Sequence, residues 1–342
     1  MCLLRWTPSV PRPCTATRRV ASRTVTQSHD RSAVAAGVLL GTFVGDAVAA
    51  RWEGAEAVEL DEARRRLAMS LSTETLTYTD DTQMALALAE HLCEHPAVEQ
   101  AELAATFLEH FEGHRGYGRG MFGIVDAWRS GQDFAGAARS VFPEGSFGNG
   151  AAIHVAPVGV VWDDPFVAAT VAQRQAVLTH AHPIGIDGAV VQACAVALAA
   201  RQGVFAAVDV TVVSAMCQTV EMRRALEVIG DVSLDPAVRS LPEVAATIGT
   251  GVLADQSVPA ALWVASRAAD VAEAVLLSLA LGGDADTIAA MACAVLGAAR
   301  GPDDIPTAWV DKLEDGPRGV GYARDLAQRL AATAKAVRPP AS

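Results

Sequence analysis

An all-α fold, a compact bundle of many orthogonally packed helices, is predicted by three features of this sequence. From Ala33 onward apolar residues recur at helical spacing in one segment after another. Short Gly, Pro and Asp breaks separate those segments, and no run alternates apolar with polar residues as a half-buried strand does. Composition agrees, because 51% of the 342 residues are apolar, enough for a large core.

The elements follow in chain order. Residues 1–32 are a different material: six Arg and one acid among Pro, Ser and Thr, with no apolar period. A disordered basic extension is expected there, as an over-called start or short tail in preference to a targeting segment. Helices are then expected at 33–50, 81–94, 98–112, 118–129, 133–141, 151–160, 165–178, 185–202, 209–227, 240–248, 258–267, 270–281, 286–299, 303–314 and 320–336, within a single domain over 33–338. Pro96, Asp133, Pro165, Pro183, Pro259, Asp270 and Pro302 punctuate them. Gly188–Ala200 and Ile288–Ala299 carry no charge at all, so those helices are central. Gly203–Val258 has fewer signals and is expected to form a peripheral helical cap.

Charge and cysteine usage narrow the class. A net charge of −12 opposes a sequence-independent grip on nucleic acid, which needs clustered Lys and Arg. The most apolar stretch, Ala33–Ala50, is interrupted by Asp46 and three glycines, so no membrane span is expected. The six cysteines show no CxxC spacing and three lie in apolar runs, as small hydrophobes of a reducing compartment do. A cytoplasmic monomer is the expectation.

Five short segments carry candidate chemistry. Thr79-Asp80-Asp81-Thr82 opens an apolar helix, where Thr79 or Asp80 could be a cap and Asp81 a partner of the dipole. Gly282-Gly283-Asp284-Ala285-Asp286-Thr287 stands at the mouth of the uncharged helix near 288–299. Two such clusters put four carboxylates near buried helices, which is costly without compensation. Metal is the simplest compensation, and carboxylate with Thr hydroxyl selects hard cations, Mg²⁺ or Mn²⁺, while zinc favours His and Cys spacings absent here. Four carboxylates suffice for two ions. Gly41-Thr42-Phe43-Val44-Gly45-Asp46 reads as tight helix packing with one polar group in need of a partner, and Glu53 beyond it as a solvated acid. Gly145-Ser146-Phe147-Gly148-Asn149-Gly150 is either a plain connector or a loop that lies along a phosphate. In Thr179-His180-Ala181-His182-Pro183 a cap His and a packing His compete with a metal reading.

In this order, GTFVGDAVAARWEG, YTDDTQMALAL, GSFGNGAAIHVAPVGV, THAHPIGIDGA and LALGGDADTIAAMACAVLGA resemble the ADP-ribosylglycohydrolase family over about residues 33–300, and GTGVLADQSVPAALWVA is similar to a further family segment. The resemblance implies an all-α bundle with a centre of two Mg²⁺ or Mn²⁺ ions at the base of an ADP-ribose cleft. It implies Thr79, Asp80, Asp81, Asp284, Asp286 and Thr287 as metal ligands, and Glu53, with Asp80 and Asp81, as catalytic. It also places Ser146, Phe147, Gly148, Asn149 and Gly150 on the pyrophosphate and distal ribose, and His180 in the cleft. Three positions depart from the family pattern: Ala49 and Cys293 where Gly is common, and His154 where Arg is frequent.

The reaction so implied is metal-assisted hydrolysis of the C1″ glycosidic bond, releasing ADP-ribose, with Glu53 as base for the water or acid for the leaving group. The Ser-aromatic-Gly-Asn-Gly loop resembles the branch that cleaves serine-linked ADP-ribose, poly(ADP-ribose) and O-acetyl-ADP-ribose. The alternatives are an arginine-specific hydrolase, a di-metal hydrolase of another nucleotide, and a non-enzymatic crystallin-like relative that should have lost the ligands.

Overall fold

The computed structural model describes residues 30–204, 208–230 and 239–337. The extension expected over 1–32 therefore lies outside the described residues up to position 29, and its last residues belong to the body. Asp30 caps the first helix by accepting from the Ser32 N–H at 3.1 Å, and Arg31 is buried and ion-paired with Asp163 at 2.8 Å.

The described residues are all helix and connection, with isolated bridge pairs but no strand. In order they form α1 (Arg31–Ala49), α2 (Leu60–Leu71), α3 (Asp80–Glu94), α4 (Gln100–His110), α5 (Arg119–Arg129) and α6 (Phe134–Ala138). Next come α7 (Gly150–Ile153), α8 (Ala156–Val161), α9 (Pro165–Ala176), α10 (Pro183–Gln202), α11 (Val210–Ser214) and α12 (Val220–Gly230). The last six are α13 (Leu241–Ile248), α14 (Ala254–Arg267), α15 (Val271–Leu281), α16 (Ala285–Arg300), α17 (Thr307–Val310) and α18 (Val320–Ala336).

Five expectations are corrected. The span 209–227 is two helices, α11 and α12, because the Gln218 and Thr219 N–H groups between them donate to the buried Asp187 carboxylate of α10. Helix α2 was not expected: Arg64 and Arg65 face water and its buried face is only Ala63, Arg66 and Ser70, so no apolar stripe marks it. The span 151–160 is two short helices, because the chain turns at His154 and Val155 before Pro157. Helix α14 starts four residues before the expected 258, leaving the buried Pro259 inside it instead of at its start. The expected 303–314 helix is a single 3₁₀ turn followed by the four-residue α17, since Pro306 cannot continue a helix.

The centre of the molecule is the seam between α1 and α16. A Cβ on Gly41 would stand 2.5 Å from the Cys293 carbonyl oxygen, one on Gly45 2.6 Å from that of Ala289, and one on Gly37 would overlap Gly297. The pairing runs in opposite senses along the two helices, so they are antiparallel and nearly touch backbone to backbone. This geometry sets the C-terminal turn of α1, with Asp46, beside the first turn of α16, with Asp286. Helices α1, extended by its 3₁₀ turn to Trp52, and α10 have the length and apolar composition of a membrane span despite the interruptions in 33–50, and 83% of the most apolar stretch of each is buried inside the fold.

Candidate active site

Asp46 organises the site. Fully buried in α1, its carboxylate accepts from the Thr79 N–H at 3.0 Å, the Thr79 hydroxyl at 2.9 Å, the Thr82 N–H at 3.1 Å and the Thr82 hydroxyl. It thereby satisfies the first turn of α3 and fixes Thr79, Asp80 and Asp81 in place. Thr79 is also the N-cap of α3, accepting from the Asp81 N–H at 3.3 Å. Capping and site building are one arrangement here, not alternatives.

The second cluster is positioned by backbone. Gly282 and Gly283 have φ of +64° and +68°, and a Cβ on either would collide with the main chain of Ala55 and Glu56 or of Thr250. Gly283 exchanges two hydrogen bonds with the Glu53 side of the molecule: its carbonyl accepts from the Gly54 N–H at 2.7 Å and its N–H donates to the Ala55 carbonyl at 2.8 Å. The Asp284 N–H donates to the Thr250 carbonyl at 2.7 Å. The glycine pair thus brings three chain segments together and sets Glu53 above Asp284.

A cavity of about 360 Å³, in the range of small-molecule sites, is lined by Glu53, Thr79, Asp80, Asp81, Asp284, Asp286 and Thr287 on one side. Ser146, Gly148, Asn149, Gly150 and His180 line another wall. The Thr287 hydroxyl donates to Asp81 at 2.8 Å, and the Asn149 amide donates to Ser257 at 2.9 Å and to Asp284. Gly150 packs so closely on His180 that a Cβ would lie 2.7 Å from its ring, which locks the loop to the turn before α10. Phe147 is the one expected site residue outside the lining: it is exposed and packs edge-on against His182, with ring centroids 5.1 Å apart. Its carbonyl instead accepts from the Ala254 N–H, so the backbone turns the ring outward.

Burial dominates the electrostatics. Desolvation pushes Asp46 up to about 6 against its four hydrogen bonds, and pushes Asp80 up to about 7 with help from the Asp46 charge. Asp81 and Asp286 are held well above the carboxylate range by desolvation first and by neighbouring aspartates second. Asp284 is raised by desolvation too, and Glu53 by desolvation and then by the Asp284 charge. Desolvation lowers His154 to about 4 and depresses His180, to which His154 adds. His154, where an Arg is frequent, is buried and paired with Gln175 at 2.7 Å.

Thr79, Asp80, Asp81, Asp284, Asp286 and Thr287 are the residues that could hold a metal. All their donors are oxygen, and Asp286 Oδ1 is buried without a hydrogen-bond partner, so the set fits a hard divalent cation. Asp81 and Asp284 are turned onto Thr287 and Asn149, and among the described residues no three Asp, Glu, His or Cys side chains converge on one ion position.

Two parts of the site went wholly or partly unmarked in sequence. Gly116, Tyr117, Gly118, Arg119, Gly120 and Met121 form a further wall, for which three glycines within five residues were the available signal. For Asp46 the need of a partner was legible but not which groups supply it, because they lie 33 and 36 positions away.

A sequence model of the ADP-ribosylglycohydrolase family matches residues 26–340. The chain is 31% identical to ADP-ribosylhydrolase ARH3 of Mus musculus, over 81% of this chain and 86% of that protein, and 31% identical to its Homo sapiens counterpart, over 81% and 88%. The Danio rerio counterpart is 30% identical, over 86% and 89%. Among solved structures, one described as an ADP-ribosylglycohydrolase-related protein complex superposes with a TM-score of 0.70 at 25% identity, covering 89% of this chain and 99% of the other. With family motifs gathered around one acid-floored cavity, and relatives alike over most of their length, this chain belongs to the ADP-ribosylglycohydrolase family, in its ARH3 branch, and is an enzyme that hydrolyses ADP-ribose conjugates.

Proposed function

We propose that the enzyme cleaves the C1″ bond of O-linked ADP-ribose, in serine-linked conjugates, poly(ADP-ribose) or O-acetyl-ADP-ribose, and depends on two Mg²⁺ or Mn²⁺ ions. The observation that carries the metal requirement is the cavity floor: four aspartates, one with an orphaned buried oxygen, and no Lys or Arg among them. Thr79, Asp80, Asp81, Asp284, Asp286 and Thr287 would hold the ions. When bound, such ions supply positive charge that orients the ribose hydroxyls and lowers the pKa of water.

The chain's own groups do the rest. Glu53 sits at the rim with its carboxyl raised, so it keeps a proton to higher pH than an ordinary glutamate and is suited to exchange one with the water or the leaving oxygen. The loop at Ser146, Gly148, Asn149 and Gly150, braced by Ser257 and His180, forms the wall on which the distal ribose and pyrophosphate rest. His180, depressed by burial, stays neutral there and adds no charge. The O-linked branch is supported by the Ser-Phe-Gly-Asn-Gly loop and by the ARH3 relatives.

The test is to incubate the protein with serine-ADP-ribosylated peptide, arginine-ADP-ribosylated peptide, poly(ADP-ribose) and O-acetyl-ADP-ribose, with Mg²⁺ or with EDTA, and follow free ADP-ribose. Release from the O-linked conjugates, lost in EDTA, is expected. Release from the arginine peptide alone overturns the branch, and undiminished release after exhaustive chelation overturns the metal requirement.

A further inference from the structure

The cavity has one guanidinium on its wall. Arg119 is the lone Lys or Arg among the lining residues, in a cavity that also presents Glu53, Asp80, Asp81, Asp284 and Asp286. It is the first residue of α5, and the N-cap before it, Gly118, contributes no side-chain cap. A cation at a helix N-terminus faces the positive end of the macrodipole and is disfavoured there unless something offsets it. The other arginine that begins a helix shows the usual remedy: Arg31 is ion-paired with Asp163 at 2.8 Å and donates to the Val160 carbonyl. Arg119 is exposed and makes no ion pair or side-chain hydrogen bond with any described residue. Its neighbours leave room: a Cβ on Gly118 would meet nothing within 4 Å. The segment stands between the acid floor and the apolar rim, since Gly116 approaches Asp80 at 3.4 Å and Gly120 approaches Phe142 at 2.9 Å by the same measure. A local conflict left unrelieved within the protein, at the wall of a substrate cavity, marks a group whose partner arrives with the ligand.

We infer that Arg119 is a specificity residue whose guanidinium takes a phosphate of the ADP-ribose conjugate, a reading that rests on the reaction proposed above. The planar fork of Arg matches two phosphate oxygens at once, a match that the point charge of Lys cannot make. The phosphate belongs either to the ADP-ribose unit being released or, in the polymer, to the adjoining unit.

Calorimetric titration with ADP-ribose, and KM and kcat on O-acetyl-ADP-ribose and poly(ADP-ribose), decide the matter for wild type, Arg119→Gln, Arg119→Lys and Arg129→Gln. Arg129, exposed in the last turn of α5 and outside the cavity lining, controls for a general loss of charge. Arg119→Gln is expected to weaken ADP-ribose binding and raise both KM values about tenfold, with kcat within about twofold and the melting temperature no lower than that of the wild type. Arg119→Lys should fall between, and the rise of KM with salt should flatten in Arg119→Gln. A rise confined to poly(ADP-ribose) supports the inference with the adjoining unit as the source. Unchanged KM and affinity for all three compounds, or an effect equalled by Arg129→Gln, overturns it. If the wild type releases ADP-ribose from no O-linked conjugate, the proposed reaction fails, while the ADP-ribose titration still decides the role of Arg119.

Discussion

The middle and the end of the same two helices are built on opposite terms. Along the seam, α1 and α16 meet through Gly37, Gly41 and Gly45 against Gly297, Cys293 and Ala289, with every group apolar and each backbone filling the space left by the other. Just beyond it, Asp46 and Asp286 are as deeply buried yet carry carboxyl groups, and Asp286 keeps an oxygen with no partner. The seam is optimised for stability and tolerates nothing larger than what is present. Asp46 is satisfied by α3, but Asp286 is poorly satisfied by the protein alone, which is the usual state of a site that awaits ligands. Packing the seam so tightly holds the unsatisfied end in place.

Breaking the seam should have the largest effect. Gly41→Leu drives a side chain into the Cys293 backbone, which has no rotamer to yield, and is expected to cost more than about 4 kcal/mol. Soluble yield and a denaturant midpoint check this; a folded variant with normal stability would mean the helices can part. The site end should respond in the opposite sense. Asp286→Asn is expected to lower turnover about 10³-fold, equivalent to ~4 kcal/mol of barrier. In EDTA it should melt at or above the wild type, because an unpaired buried carboxylate has gone. Loss of both turnover and stability would move Asp286 to the structural side of the comparison.

Glu53 tests the rim instead of the floor. It is exposed and hydrogen-bonds only through its backbone, so Glu53→Gln should leave melting unchanged and ADP-ribose binding intact while turnover falls roughly 10²-fold. Full activity would reduce it to a solvated acid.

The smallest expected effect is the pH dependence of stability in EDTA. Asp46 near 6 and Asp80 near 7 bind protons more tightly folded than unfolded, where a carboxyl titrates near 3.8. Their contribution is therefore complete below about pH 4 and is lost as pH rises through 6 and 7. Melting should be higher at pH 5 than at pH 7.5 by about 5 °C, and Mg²⁺ at pH 7.5 should restore the difference. A flat profile in EDTA would show that these carboxylates are better solvated than their burial implies.

What was legible in sequence was local. The helical period, the Pro and Asp punctuation and the uncharged stretches at 188–200 and 288–299 placed most helices within a few residues, because a helix is made by near neighbours. The two Asp-Thr clusters and the Gly145–Gly150 loop were visible for the same reason, since chemistry crowded into six residues needs no fold to be noticed. Helix α2 escaped because its buried face includes Arg66, whose guanidinium donates to the Glu56 and Leu279 carbonyls, contacts made only after folding. The tertiary structure alone decided the rest. It turned Phe147 out of the cavity while keeping its neighbours in, and brought Gly116–Met121 up as a wall. It also gave Asp46 its partners on another helix. Each depends on how distant segments approach one another, and that distance is set by backbone packing such as the α1–α16 seam, which no local pattern of residues contains.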